Sequence, residues 1–380
     1  MPVSYATVIA WRMLVHHKAR LALSLCGIAF SVLVLFMGIG FFNGLNDSEA
    51  NLAPLLNADL VMISAKRTNL GKSDRMSRVQ LYQAQADPEV GEVIAVYEGR
   101  TSLTNPQSKM SKSIVFLAFA AGTDPLAVPG MLAHKDKLKV RGTVLYDRLS
   151  REVYGKIHEG MQIDLSEGKF TVAGTVAIGP NFSRNGYVLM SDTTWLSGRP
   201  AWEADRISYG LIRAVAGTDV NRLAARLAAT LPTDVTLLTP AQLHERNVRH
   251  TTRATPVGAL LGIGLIVGFV IGVIICYQIL FNEITDHMPQ FATLKAVGFS
   301  KPFLMAVVMK EALLLSVVGF LPGLAAGQLL YSVVEHLTQI LMFLTPARIL
   351  VIFVLTIGMC AVAGMLAVKK VLQADPAELF

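Results

Sequence analysis

The sequence predicts an integral membrane α-helical protein of four transmembrane helices, with a large mixed α+β domain inserted between helices one and two. Three observations predict it. Hydrophobic residues make up 53% of the 380, and the mean hydropathy of +0.49 is too high for an ordinary soluble chain. The excess is concentrated in four blocks: "LALSLCGIAFSVLVLFMGIGFF" (residues 21–42), "VGALLGIGLIVGFVIGVIICYQILF" (257–281), residues 303–331 and residues 349–368. Each runs to about 20 residues or more, enough at 1.5 Å rise to cross a ~30 Å hydrocarbon layer. Between the first two blocks lie about 200 residues, enough for a core of their own.

Residues 1–20 read as a cytoplasmic amphipathic segment. Arg12, Lys18 and Arg20 precede the first block with no acidic residue among them, which places the N-terminus in the cytoplasm. Residues 21–45 form the first span and the start of a stalk. The block is longer than a signal-peptide core of about 7–15 residues, and "NGLNDSEANLA" after it offers no small-x-small cleavage site, so it reads as an uncleaved anchor.

Residues 46–250 form the outer domain. "ADLVMIS", "EVIAVYEGR" and "SIVFLAFAAG" have the β-branched and aromatic content of strands, and "MQIDLSEGKFTVAGTVAIG" reads as a hairpin turning at Ser166-Glu167-Gly168. Val220, Leu223, Leu227 and Leu231 share one helical face, and the strand "DVTLL" follows. Thr239-Pro240 is an N-cap followed by an N1 proline, opening a helix that leads as a stalk toward the second span. Within the domain, "KRTNLGKS" (66–73) matches the last three places of a phosphate-binding loop, but Lys66 stands where the pattern needs glycine and "DRMSR" opens no apolar helix. Facing an ATP-free compartment, it reads as a loop.

Residues 251–281 are the stalk end and second span, 282–302 a cytoplasmic loop, and 303–331 the third span. A loop on the outer side, 332–348, leads to the fourth span, 349–368. The tail 369–380 begins with Lys369 and Lys370, which place it in the cytoplasm. Arg246, Arg249 and Arg253 oppose this orientation from the outer side, but long translocated segments are exempt from the charge rule.

The spans carry glycines at four-residue spacing: Gly264, Gly268 and Gly272 in the second, Gly319, Gly323 and Gly327 in the third, where Pro322 predicts a kink. Such stripes let helices approach closely and imply a tightly packed, oligomeric bundle. The middles of the spans show no charge, which argues against an ion-coupled carrier. Lys310 and Glu311 are the nearest exceptions; snorkelling, pairing with neighbours, and extension of the helix into the cytoplasm all remain open. Cys26, Cys276 and Cys360 all lie in apolar blocks and read as packing residues, with no metal-ligand spacing.

Enzyme signatures are missing. His134, His158, His244 and His250 are scattered, Asp147 and Glu152 make only a commonplace carboxylate pair, and no Gly-x-Ser-x-Gly occurs. The net charge of +7 is largely topological, and without aromatic interleaving it implies no nucleic-acid surface; the basic residues of the outer domain read as a solvated face ahead of a contact with anionic headgroups of the lipid membrane.

The cytoplasmic loop "NEITDHMPQFATLKAVGFSKP" is too polar for the membrane. After Pro289, Phe291, Leu294 and Val297 form an apolar stripe ended by Gly298, which predicts a short helix along the inner face with knobs for a soluble partner. "FATLKAVGFS" resembles the cytoplasmic loop of FtsX/MacB-type permeases, whose usual pattern is Glu-Ile-x-x-Leu-Lys/Arg-Ala-x-Gly; here Phe291-Ala292 replace the Glu-Ile pair. "YQILFNEITDHMPQFATLKAVGF", the terminal "DPAELF" and "GIAFSVLVLFMGIGF" are similar to the DevC branch, the permease of DevBCA-type exporters, and the likeness extends over the whole chain.

The resemblance implies a type VII ABC transporter subunit in the bacterial inner membrane, with the inserted domain periplasmic. A second copy and two copies of a separate cytoplasmic ATPase would complete the engine. ATP and magnesium would be bound by that ATPase, leaving this chain non-catalytic and without a cofactor. Closure of the ATPase would pass through stalk helices to the periplasmic domains. In the DevC branch a periplasmic membrane-fusion adaptor and a TolC-like outer-membrane channel complete the path for a hydrophobic or amphipathic compound such as a glycolipid. The implied ATPase-docking residues are Phe291, Leu294 and Val297, with polar contacts from Asp286, Gln290 and Lys295. Two other readings stay open: an FtsX-like signalling subunit controlling a periplasmic hydrolase, and a lipoprotein-extraction permease.

Overall fold

The computed structural model describes Trp11 and residues 18–50, 52–68, 70, 74–181, 183–254, 256–338 and 344–373. Most of the predicted N-terminal segment, Asn69 and residues 71–73 of the phosphate-loop match, and the terminal "DPAELF" lie outside these. The chain forms two compact units: Met1–Asn43 with Pro256–Thr338 and Met342–Phe380, and Gly44–Thr255 with Gln339–Leu341.

Helix α1, Lys18–Ala50, leads from the first unit into the second. The inserted unit then runs α2 (Leu52–Leu55), β1 (Leu60–Ser64), β2 (Met76–Ser77), α3 (Arg78–Gln85), β3 (Val90–Thr104), β4 (Ser111–Phe119) and α4 (Met131–His134). It continues through β5 (Thr143–Asp147), β6 (Gln162–Leu165), β7 (Gly168–Val176), β8 (Tyr187–Ser191), α5 (Asp192–Trp195), α6 (Trp202–Asp205), β9 (Arg206–Ile207) and β10 (Tyr209–Ala214). It ends with α7 (Val220–Thr230), β11 (Val235–Leu238) and α8 (Pro240–Ala254).

Nine of the strands join in the order β11-β1-β10-β3-β4-β8-β5-β7-β6, and β3 pairs with β6 as well. Its 15 residues serve two structures. The first half, Val90–Val96, pairs antiparallel with β10. The second half pairs with β4 from Tyr97 to Thr104 and with β6 at Leu103 and Thr104, closing six strands into a ring. The sheet is covered on both faces: Leu60 and Met62 enter one apolar core, Val61 and Ile63 the other. That is why β1 (LVMIS) and β8 (YVLMS) are buried at every residue and read as unbroken apolar runs. The predicted hairpin is present, Leu165 opposite Gly168, so Gly168 belongs to the strand and not to the turn.

Helix α7 forms where its apolar face predicts. Asp219 caps it, its Oδ1 accepting from the Asn221 amide at 3.0 Å and the Arg222 amide at 3.3 Å, while Leu223 and Leu227 are buried. Thr239 and Gln242 make a reciprocal capping box ahead of α8, with bonds of 3.2 and 3.0 Å. Below the sheet Arg67 and Arg184, both buried, hold the two oxygens of Glu98 at 2.9 and 2.8 Å. Each arginine also donates to the Leu70 carbonyl, and the Leu70 amide donates to Asn247 of α8 at 3.2 Å. Arg67 and Leu70 are thus gripped between the sheet and α8. Among the described residues β2 stands before α3, the wrong order for a phosphate-binding loop.

The membrane unit adds α9 (Pro256–Asp286), α10 (Met288–Ala296), α11 (Lys301–Thr338) and α12 (Pro346–Gln373) to α1. Four stretches are long and apolar enough to span a bilayer: Leu21–Leu45, Pro256–Asp286, Lys301–Leu337 and Pro346–Val368. Five of the six glycines singled out in the sequence lie at helix contacts. A Cβ at Gly319 would stand 2.6 Å from Ile28, one at Gly323 2.6 Å from Val32, and one at Gly327 2.8 Å from Phe36. Gly268 faces Val34 at 3.2 Å and Gly272 faces Met359, whereas Gly264 has open space beside it. Cys276 and Cys360 pack against each other in the bundle, Sγ to Sγ 3.7 Å. Pro322 sits inside α11, which continues through it. Glu311 is buried, so its carboxylate does not snorkel, whereas Lys310 beside it is half-buried.

Candidate functional site

The connection from α9 to α11 carries the residues the sequence marks for docking, and hydrogen bonds fix its shape from end to end. The His287 amide donates to the Glu283 carbonyl at 3.0 Å and the Phe291 amide to the His287 carbonyl at 3.1 Å, so helical bonding passes through the junction of α9 and α10. Pro289 lies in the first turn of α10, where no amide is needed. At the far end Gly298 adopts φ 101°, its amide donating to the Lys295 carbonyl and the Phe299 amide to the Leu294 carbonyl, each at 3.1 Å. This paired return to the last turn is the Schellman stop, and its left-handed residue is one only glycine adopts without strain. Phe299 then stacks on Phe303, ring centroids 4.7 Å apart, at the first turn of α11.

The apolar stripe predicted from the sequence is divided by this geometry. Phe291 is 1% exposed and Ala292 is equally buried; both face the bundle, and Leu294 packs against the same core. Val297 is 73% exposed. The reason is rotation: steps of three residues fall short of a helical turn by about 60° each, so Val297 lies about 120° around from Phe291. Asp286 and Gln290 are exposed and Lys295 is half-buried. The accessible face of the connection is therefore Asp286, Gln290, Thr293, Val297 and Phe299, and the place given to Phe291 in a partner's cleft is corrected: its cleft is inside its own chain.

Beside the junction a cavity of about 330 Å³ is lined by Leu23, Ser24, Ile279, Asn282, Glu283 and Asp286, among others. Glu283 is buried and accepts from the Ser24 hydroxyl at 3.3 Å. His287, one turn on, is buried too. Sequence reading passed over both; the signal was a pair of ionisable residues four apart at the end of an apolar helix.

Elsewhere the residues tested for catalysis are not brought together. Asp147 is buried, with its oxygens filled by the amides of Leu149, Ile178 and Gly179 at 3.0 to 3.1 Å, while Glu152 is exposed on a separate turn. A cavity of about 520 Å³ in the inserted unit is lined in part by Arg141, Phe170, Trp195, Arg199 and Glu203. Arg199 is engaged within it, 3.4 Å from the Trp195 ring centroid and 3.2 Å from Glu203. Among the described residues no three His, Cys, Asp or Glu side chains converge as a metal site.

Two family models match the chain. Residues 21–230 match the MacB-like periplasmic core domain, more than half the chain, and residues 262–376 match the FtsX-like permease C-terminal domain. The chain belongs to the FtsX/MacB permease family. It is a type VII ABC transporter permease subunit, in a family whose ATPase is a separate partner, and it is a multi-pass membrane protein. Among solved structures the permease is similar to the periplasmic region of MacB from Actinobacillus actinomycetemcomitans, at 9% identity and TM-score 0.36, over 50% of this chain and 92% of that one. It is also similar to the extracellular domain of the noncanonic ABC-type transporter YknZ from Gram-positive bacteria, at 8% identity and TM-score 0.34, over 48% and 99%. A sequence comparison with curated proteins finds no match.

Proposed function

We propose that the permease is the mechanical subunit of an inner-membrane exporter that moves a hydrophobic or amphipathic compound, such as a glycolipid, outward from the periplasm. The single observation behind this reading is the insertion of a MacB-like core domain between the first two of four spans whose middles carry no charge. Two copies work with two copies of a cytoplasmic ATPase, which binds ATP and magnesium and grips the exposed face of the connection between α9 and α11 through Val297, Phe299, Gln290 and Asp286. Both termini lie in the cytoplasm. Movement passes through α1 and α8 to the inserted domain, a periplasmic adaptor receives the cargo, and an outer-membrane channel releases it.

Mass spectrometry of what co-purifies after gentle cross-linking in the native membrane tests the assembly. An ATPase with an adaptor and an outer-membrane channel is expected. An ATPase with a peptidoglycan hydrolase and no adaptor would replace export by signalling, and absence of any ATPase would sink both readings.

A further inference from the structure

The cavity of about 520 Å³ in the inserted unit stands on one stretch of sheet. β5 lies between β8 and β7, with Val144 opposite Met190 and Thr143 opposite Thr171. That register brings Met190, Phe170 and Gly142 together as a floor, and the size suits a compact organic molecule. One wall is held rigid. Trp195 lies between the Phe116 ring, centroids 3.9 Å apart, and the Arg199 guanidinium, 3.4 Å from its own centroid. Arg199 also donates from Nε to the Trp195 carbonyl at 3.0 Å, and it stands between two carboxylates, 3.2 Å from Glu203 and 3.8 Å from Glu167. Glu167 accepts from the Thr101 hydroxyl as well. These charges hold the wall together.

Arg141 is placed differently. It is exposed at the rim, just ahead of β5, and its guanidinium donates to the Ser197 hydroxyl on the facing side. Among the described residues no carboxylate pairs with it. The segment that carries it, residues 135–141 (KDKLKVR), has four cations and one carboxylate. Lys139 pairs with Asp136 and Lys137 with Glu159, which leaves Lys135 and Arg141 to keep the rim positive. We propose that this cavity binds a compact amphipathic anion. Its carboxylate, sulfonate or phosphate group pairs with Arg141, whose planar fork of donors matches such oxyanions, and its apolar part rests on Phe170. The positive rim draws anions toward the opening. Because Trp195 and Arg199 are fixed before the ligand arrives, little ordering is left to oppose binding. Binding stands without the export reading; only the further step, that the bound anion is cargo, rests on it.

The test uses the full-length permease in nanodiscs, with empty nanodiscs as the blank. Calorimetric titration compares naphthalene-2-sulfonate with its neutral counterpart, naphthalene-2-sulfonamide. One saturable site for the sulfonate is expected, with the sulfonamide weaker by about tenfold or more. Arg141→Ala, at an exposed position, should weaken the sulfonate by about tenfold or more and leave the sulfonamide unmoved. Ser197→Trp, which crowds the rim from a second exposed position, should weaken both probes. Arg222→Ala removes an exposed cation of α7 outside the cavity and should change neither. No saturable binding, equal binding of the two probes, full affinity in Arg141→Ala, or an equal loss in Arg222→Ala overturns the site. The titration contains no ATPase, adaptor or channel, so its failure leaves export standing, and a failed co-purification leaves the site standing.

Discussion

At the scale of single residues, burial decides what a side chain can do. Phe291 is enclosed by the bundle, so Phe291→Ala should cost about 3 kcal/mol or more of stability, and Phe291→Asp more again, seen as a lowered unfolding midpoint before any effect on a partner. A stable Phe291→Asp bundle would contradict the placement. Asp147 makes a prediction of the opposite kind. Burial pushes its carboxyl above the ordinary range, against the pull of the Ile178, Leu149 and Gly179 amides. The folded chain therefore holds the proton more tightly than the unfolded one. Its contribution favours the fold at acid pH and declines as pH rises from the ordinary carboxylate range through the raised value. Asp87 runs the other way: hydrogen bonds from Arg226 and from the Glu89 amide hold it low, so its contribution is lost as pH falls through its lowered value. Thermal midpoints of Asp147→Asn against wild type across that window check the first claim; parallel curves would refute it. Glu98 sits between two buried arginines, and Glu98→Ala should destabilise the inserted unit by about 3–5 kcal/mol in chemical denaturation, since two buried cations then lose their shared anion.

At the scale of elements, the sequence was most legible where one period or one cap decides the structure. The four spans, α7 with its Asp219 cap, the Thr239 cap of α8 and the β6–β7 hairpin could all be read from spacing alone. Pairing was not legible: nothing local says that β4 and β8 run parallel, or that β3 belongs to two structures at once. The docking segment was half legible. Its limits, Pro289 and Gly298, are local chemistry, whereas the face Phe291 turns inward depends on helices far away in sequence. The same distinction grades the glycines. Gly323→Leu must displace Val32 and meets the Ala29 carbonyl, 3.2 Å from a Cβ, so it should lower the bundle's midpoint sharply, whereas Gly264→Ala should leave it unchanged. Equal effects on thermal unfolding would refute the assigned packing.

At the scale of the whole molecule, a permease of this family has its ATPase as a separate partner. If the exposed face of the connection between α9 and α11 is where an ATPase pulls, Val297→Asp together with Phe299→Asp should weaken ATPase binding about tenfold or more while the permease stays folded. Binding of purified ATPase to the permease in nanodiscs measures it, and unchanged affinity would place the docking elsewhere. What the bundle does with such a pull follows from the contact between α1 and α11. Ile28, Val32 and Phe36 advance in step with Gly319, Gly323 and Gly327, three teeth in three notches on parallel helices. Teeth four residues apart re-engage only after a slip of about 6 Å, so small sliding movements are resisted at every notch together. The two helices are keyed like a shaft in its hub, and a tug on either one turns or lifts both.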